Sequence, residues 1–185
     1  LGIMHTQATR MARLIDDLLS LSRVELSAHV RPDASVDIVP ILRQVVDGLE
    51  PLARERQVAI EIELPEAPVT IAGDREELLR LFENLIENAL KYTYENGRVE
   101  VRAVRRVDGR IEIAVSDDGP GIAPEDRDRV LDRFVRLESA RSTPGAGLGL
   151  SLVAAVARLH KGGLHLRDGL GGPGERKGLG AVLVL

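Results

Sequence analysis

Asn84, Asn88 and Lys91 are spaced to share one side of a helix, and their side chains suit a phosphate-bearing ligand. At about 100° per residue the three fall within a sector of roughly 60°. A carboxamide oxygen can ligate a hard cation, its NH2 can donate to a phosphate oxygen, and a lysine ammonium meets phosphate charge. Asparagine costs a helix interior about 0.5 kcal/mol relative to alanine, so two of them one turn apart need a reason. On this segment alone a solvated polar face explains them equally well. Two glycine-bearing segments downstream weigh against that. Asp117-Asp118-Gly119-Pro120-Gly121-Ile122 follows the alternating run Ile111 to Val115, which puts an acid at a strand end and a closely approachable backbone beyond it. Gly145-Ala146-Gly147-Leu148-Gly149-Leu150 opens a helical run that continues to His160, and glycines at a helix start expose amide donors to an anion. Taken singly, each also reads as an ordinary turn or loop-to-helix junction.

The elements that must position these groups are legible in the apolar pattern. Leu78, Phe82, Leu85, Ile86 and Ala89 share one face of the helix that carries the asparagines, with Asp74 as its N-cap. Ile41, Leu42, Val45, Val46 and Leu49 predict an earlier helix. Val58, Ile60, Ile62 and Leu64 alternate with Glu61 and Glu63, which predicts a strand with one wet face. Val69 to Ala72 reads as a short strand. Val99, Val101 and Ala103 are expected to pair with Ile111 to Val115 across the Asp108-Gly109 turn. Leu164 to Arg167 and Ala181 to Leu185 add strands. This mixture predicts an α/β two-layer sandwich with a mixed sheet. Ahead of it, residues 3 to 25 read as one long bundle-forming helix, in which Met4, Ala8, Met11, Ile15, Leu18 and Ser22 keep the four-three spacing of a bundle seam. Leu14, Leu19 and Leu21 widen that stripe, as a four-helix bundle requires. Packing of this helix on its own domain is the alternative. Leu26 to Ser35 reads as a linker.

Composition excludes several classes. With 185 residues there is room for one ordinary domain and an appendage. A net charge of −4 gives no sign of nucleic-acid binding, and without cysteine there is neither a disulfide framework nor a thiolate site. No apolar run is long enough to span a membrane. The chain opens at Leu1 within a helical pattern and without a signal-peptide layout, so it reads as a piece of a longer protein.

In their order, the motifs resemble those of the ATP-binding catalytic domain of sensor histidine kinases, of the wider Bergerat-fold family shared by gyrase, Hsp90 and MutL ATPases. Asn84 to Thr93 is similar to the family's N box, Asp117 to Ile122 to its first glycine box and Gly145 to Leu150 to its second. Arg133-Phe134-Val135-Arg136 resembles the F box. The resemblance covers nearly the whole chain. It implies residues 1–28 as the second helix of the dimerisation domain, 29–35 as linker and 36–185 as the catalytic domain. It also implies ATP and Mg²⁺ as ligands, with the metal on the Asn88 oxygen and phosphates held by Asn84 and Lys91. Tyr92 would lie along the adenine or ribose, and Asp117 would accept from the adenine amine, in a pocket shaped by Gly119, Gly121 and Ile122. Residues 132 to 146 would form a lid, with Phe134, Gly145, Gly147, Leu148, Gly149 and Leu150 around the nucleotide. Arg136, and after it Arg133, would neutralise the γ-phosphate. Homodimerisation of the intact protein, a response-regulator receiver domain as partner and a cytoplasmic location follow from the same resemblance.

Three features qualify it. The family's phosphoacceptor histidine is followed by an acid and then Thr-Pro. His5 is followed by Thr6-Gln7-Ala8, and His29, His160 and His165 lack that context too, so the acceptor is expected outside this sequence. Related ATPases place a water-activating glutamate where Asn84 stands, and Glu83 and Glu87 are rotated off that direction by roughly 100° and 60°. An ATPase or serine kinase remains the nearer alternative, and a non-catalytic module that docks a response regulator is a second. Asp118 replaces a usual Asn, Leu131 replaces the first Phe of the F box, and Gly169 to Gly180 lacks the family's closing motif.

Overall fold

Two aspartates set the starts of the two long helices. Asp37, in extended conformation, accepts from the Val39 amide at 3.1 Å and caps α1 (Ile38–Glu55). The same oxygen accepts from the Val69 amide at 3.0 Å, which ties the cap to the segment entering the short strand Thr70–Ala72. Asp74 accepts from Glu77 at 2.9 Å and caps α2 (Arg75–Tyr92), as the sequence predicts. Glu76 and Glu77 in its first turn and Lys91 in its last suit the helix dipole. Thr93 ends α2 by returning its hydroxyl to the Ala89 carbonyl at 2.7 Å. The computed structural model of the chain describes residues 11, 12, 15, 18, 19, 21, 22, 33–137, 147–172 and 177–185.

Strands β1 (Ser35–Asp37) and β3 (Thr70–Ala72) form an antiparallel pair beside the main sheet. The main sheet holds β2 (Ala59–Glu63), β4 (Arg98–Arg105), β5 (Ile111–Asp117), β6 (Gly163–Gly171) and β7 (Lys177–Val184) in the order β2-β4-β5-β7-β6. β2 runs parallel to β4 and the other pairs are antiparallel, so the sheet is mixed as expected. Val101 faces Val115 and Ala103 faces Ile113 across the predicted hairpin. α1, α2 and α3 (Gly149–Leu159) cover one face of the sheet. Phe82, Leu85 and Ile86 of α2, Leu42 of α1 and Val153 of α3 meet Val99, Ile113 and Leu183 in one core, all at most 2% exposed.

Two expectations need correction. β1 was not predicted, because three residues are too short to carry a periodicity; pairing of Ser35 with Ala72 makes it a strand. β2 has less of a buried face than its alternation implies: Ile60 is half-buried and Ile62 is 41% exposed. β2 is an edge strand, and among the described residues Ile60 packs on the core whereas Ile62 does not. The described residues 11, 12, 15, 18, 19, 21 and 22 are helical. Met11, Ile15, Leu18 and Leu19 are exposed, whereas Leu21 joins the domain core at 2% exposed. Met4, Ala8 and Leu14 lie outside the described residues, as do His5 and His29. Among the described residues no helix is long and apolar enough to cross a membrane.

Candidate functional site

α2 presents Asn84 and Asn88 as half-buried polar groups on one side, opposite its core face. Asn84 Nδ2 donates to the Arg80 carbonyl one turn back, at 2.8 Å. The first residue of α3 lies directly against the pair. A β-carbon on Gly149 would stand 3.0 Å from Asn84 Oδ1 and 3.0 Å from Asn88 Nδ2. Glycine at 149 therefore lets the start of α3 approach both asparagines. That start has Leu148 at the N-cap position, and among the described residues no side chain caps its first amides, which leaves them to an anion. Leu148 itself is 1% exposed and Leu150 packs against the core, so these two meet a ligand through backbone at most.

Asp117 ends β5 at 3% exposed, and its Oδ1 accepts from the Gly119 amide at 2.9 Å and the Leu179 amide at 3.1 Å. Burial pushes its carboxyl up to about 6; the bonds from Leu179 and Gly119 oppose that rise, and Asp118 adds to it. Among the described residues Oδ2 accepts no bond. Glycines make the surrounding fit possible. A β-carbon at Gly119 would lie 2.4 Å from the Tyr92 carbonyl, so the loop after β5 is pressed on the end of α2. Gly121 has φ +67° and its β-carbon would lie 2.3 Å from the Lys177 carbonyl. Ile122 is half-buried beside it.

The remaining predicted residues divide. Tyr92 is half-buried, its phenol pushed up by burial and drawn down by the Arg136 charge, and Lys91 Nζ stands 5.2 Å from its ring centroid. The Arg136 charge is thus felt at Tyr92, and its side chain lies beside Gly147. The Phe134 amide donates to the Gly147 carbonyl at 2.9 Å, which brings the two motifs together. The Phe134 ring is 60% exposed, however, and Leu131 packs against the core in place of an aromatic ring. Arg133 is exposed. Gly145 lies outside the described residues. His160 sits at the end of α3 with Nε2 buried, and His165 is exposed on β6.

Sequence reasoning missed the contribution of β7. Leu179 holds the Asp117 carboxylate, and a β-carbon at Gly178 would lie only 1.8 Å from the Asp117 carbonyl. The Gly178-x-Gly180 spacing was the available signal. Asp118, which replaces a usual Asn, accepts on Oδ2 from the Arg98 amide at 3.0 Å and so fastens the start of β4.

A family model described as "Histidine kinase-, DNA gyrase B-, and HSP90-like ATPase" matches residues 73–183. The alginate biosynthesis sensor protein KinB of Pseudomonas aeruginosa is 35% identical over 162 residues, 88% of this chain and 27% of KinB. The structure of the mycobacterial sensor histidine kinase MprB is 32% identical, with TM-score 0.71, over 83% of this chain and 96% of that one. Full-length ShkA in complex with AMPPNP is 29% identical, with TM-score 0.81, over 99% of this chain and 37% of that one. The chain belongs to this ATPase family and, within it, to the sensor histidine kinases, of which it is the ATP-binding catalytic region. It spans roughly a quarter to two fifths of the length of the curated relatives it matches.

Proposed function

We propose that this region binds Mg·ATP and passes the γ-phosphate to a histidine outside the chain, for relay to an aspartate on a response-regulator receiver domain. The observation that carries the reading is the juxtaposition of the Gly149 helix start with Asn84 and Asn88, beside a buried Asp117 with an oxygen to spare. Asp117 accepts from the adenine amine, which selects adenine because guanine offers a carbonyl there. Gly119, Gly121 and Ile122 shape the base pocket, and Tyr92 lies along adenine or ribose. Asn84, Lys91 and the opening amides of α3 hold phosphate oxygens. Of the expected lid, residues 138–146 lie outside the described residues; from its described part Arg136 and then Arg133 would meet the γ-phosphate, where added positive charge stabilises the transition state.

Among the described residues no three carboxylates, cysteines or histidines cluster as a metal cage. That donor set fits Mg²⁺, which takes few protein ligands and shares its shell with phosphates and water. The Asn88 oxygen would hold it, and when bound it would supply charge neutralisation at the phosphates. Phosphoryl transfer asks mainly for positioning and charge, and these residues offer both.

The kinase reading is favoured over the ATPase because Asn84, which approaches Gly149, has no basic group, while Glu83 is exposed. Incubating the parent protein with γ-labelled ATP tests it. Acid-labile, alkali-stable label on histidine is expected. Continuous release of inorganic phosphate without such label would favour the ATPase. Absence of both, with retained regulator binding, would favour the docking module.

A further inference from the structure

Away from the predicted site, one carboxylate gathers two cations. Asp168 on β6 receives Nη2 of Arg127 on one oxygen and has Lys177 Nζ 3.5 Å from the other. Arg127 lies in the loop beyond the first glycine motif, and its Nε donates to the Ile122 carbonyl at 3.0 Å. One guanidinium therefore bonds both the glycine loop and β6, a use to which its rigid fork of donors is suited and a lysine is not. Isolated surface ion pairs contribute little. This one differs in two respects. The Arg127 side chain is only 19% exposed, and it satisfies a backbone carbonyl as well as a carboxylate.

What the cluster fastens is the wall behind Asp117. Gly121 abuts the Lys177 carbonyl, Gly178 abuts the Asp117 carbonyl, and Leu179 donates to the Asp117 carboxylate. A displaced start of β7 would carry the Leu179 donor away from that carboxylate. The pairing of β6 with β7 is irregular between Asp168 and Gly171, so the ladder there is interrupted at the place where the side-chain clamp stands.

We propose that Arg127 is a positioning residue for base recognition: through the Ile122 carbonyl and Asp168 it holds the glycine loop against β7 and so aims the Asp117 carboxylate. The inference rests on the reading of Asp117 as the adenine acceptor. Its test is the dissociation constant for ATP and for GTP, with thermal stability, in the wild type, Arg127→Met, Arg127→Lys, Asp168→Asn and the Arg127→Met/Asp168→Asn pair. The loss of a charge-assisted contact predicts about tenfold weaker ATP binding in Arg127→Met, with a smaller change for GTP, so the preference for adenine narrows. Arg127→Lys recovers part of it. Asp168→Asn, at an exposed position that folding tolerates, shifts the preference the same way, and the pair is no worse than Arg127→Met alone. Unchanged preference, or equal weakening of both nucleotides alongside a lower Tm, would overturn the positioning role. A wild type that binds ATP and GTP alike would instead remove the adenine reading, and the proposal with it.

Discussion

A carboxyl 3% exposed at the end of a strand resists ionisation, and Asp117 does so in spite of two amide donors on one oxygen. Its folded value, about 6, lies above the ordinary 3.8, so the folded chain binds that proton more tightly than the unfolded chain. The stability this contributes is fully present below pH 3.8 and is lost as pH rises through about 6. Near neutrality the ionised, buried group therefore costs the fold up to about 3 kcal/mol. Asp117→Asn keeps an oxygen for Gly119 and Leu179 but turns an NH2 toward the adenine amine. We expect the variant to unfold at higher urea than the wild type at pH 7.5, to lose that advantage at pH 3.5, and to bind no ATP. Equal midpoints at both values would contradict the burial argument. Adenosine, which does not titrate in this range, should bind the wild type more weakly as pH falls below about 6, by up to tenfold per pH unit. A flat profile by calorimetry would show that the ionised carboxylate is not the acceptor.

At the scale of elements, the site forms where two helix ends meet a strand end, and glycines set how closely they meet. Gly119 is the tightest of these on the α2 side, its β-carbon 2.4 Å from the Tyr92 carbonyl. Gly119→Ala should separate the loop after β5 from α2 and weaken ATP binding more than tenfold, an effect of order 1–3 kcal/mol for forced repacking. An unaltered dissociation constant in a folded variant would mean that α2 and the loop act independently. Much of this arrangement was legible in the sequence. Asn84, Asn88, Asp117 and Gly149 lie within strong local patterns, a helix, a strand end and a helix start, and the structure brings the two asparagines against Gly149. The Gly178-x-Gly180 spacing hinted at a close approach but could not name Asp117 as its neighbour, because an antiparallel register that joins residues 117 and 179 is decided by packing of the whole sheet. The exposure of Ile62 was hidden for a related reason, since alternation signals a strand but not its place at the edge.

At the scale of the molecule, the helical segment before the domain behaves as two surfaces. Leu21 enters the core, so its end is part of the domain, while Met11 (64% exposed), Ile15, Leu18 and Leu19 turn apolar side chains to solvent. The sequence reading offered a bundle seam or packing on the chain's own domain, and the described residues divide between these. Clustered exposed apolar side chains are a binding surface in search of a partner. We propose that this surface pairs with a second copy in the parent protein, so Met11→Glu with Leu18→Glu should lower its sedimentation coefficient without changing ATP affinity. An unchanged dimer would move the interface elsewhere.

In the proposed reading the α2 asparagines, the start of α3 and Asp117 form one Mg·ATP site. Calorimetric titration of the folded chain with ATP, with and without Mg²⁺, in the wild type and in Asn88→Ala, tests that claim most directly. Metal-dependent binding that the variant loses is the expected result. No binding by the folded wild type, or equal binding by Asn88→Ala with Mg²⁺ present, would contradict it.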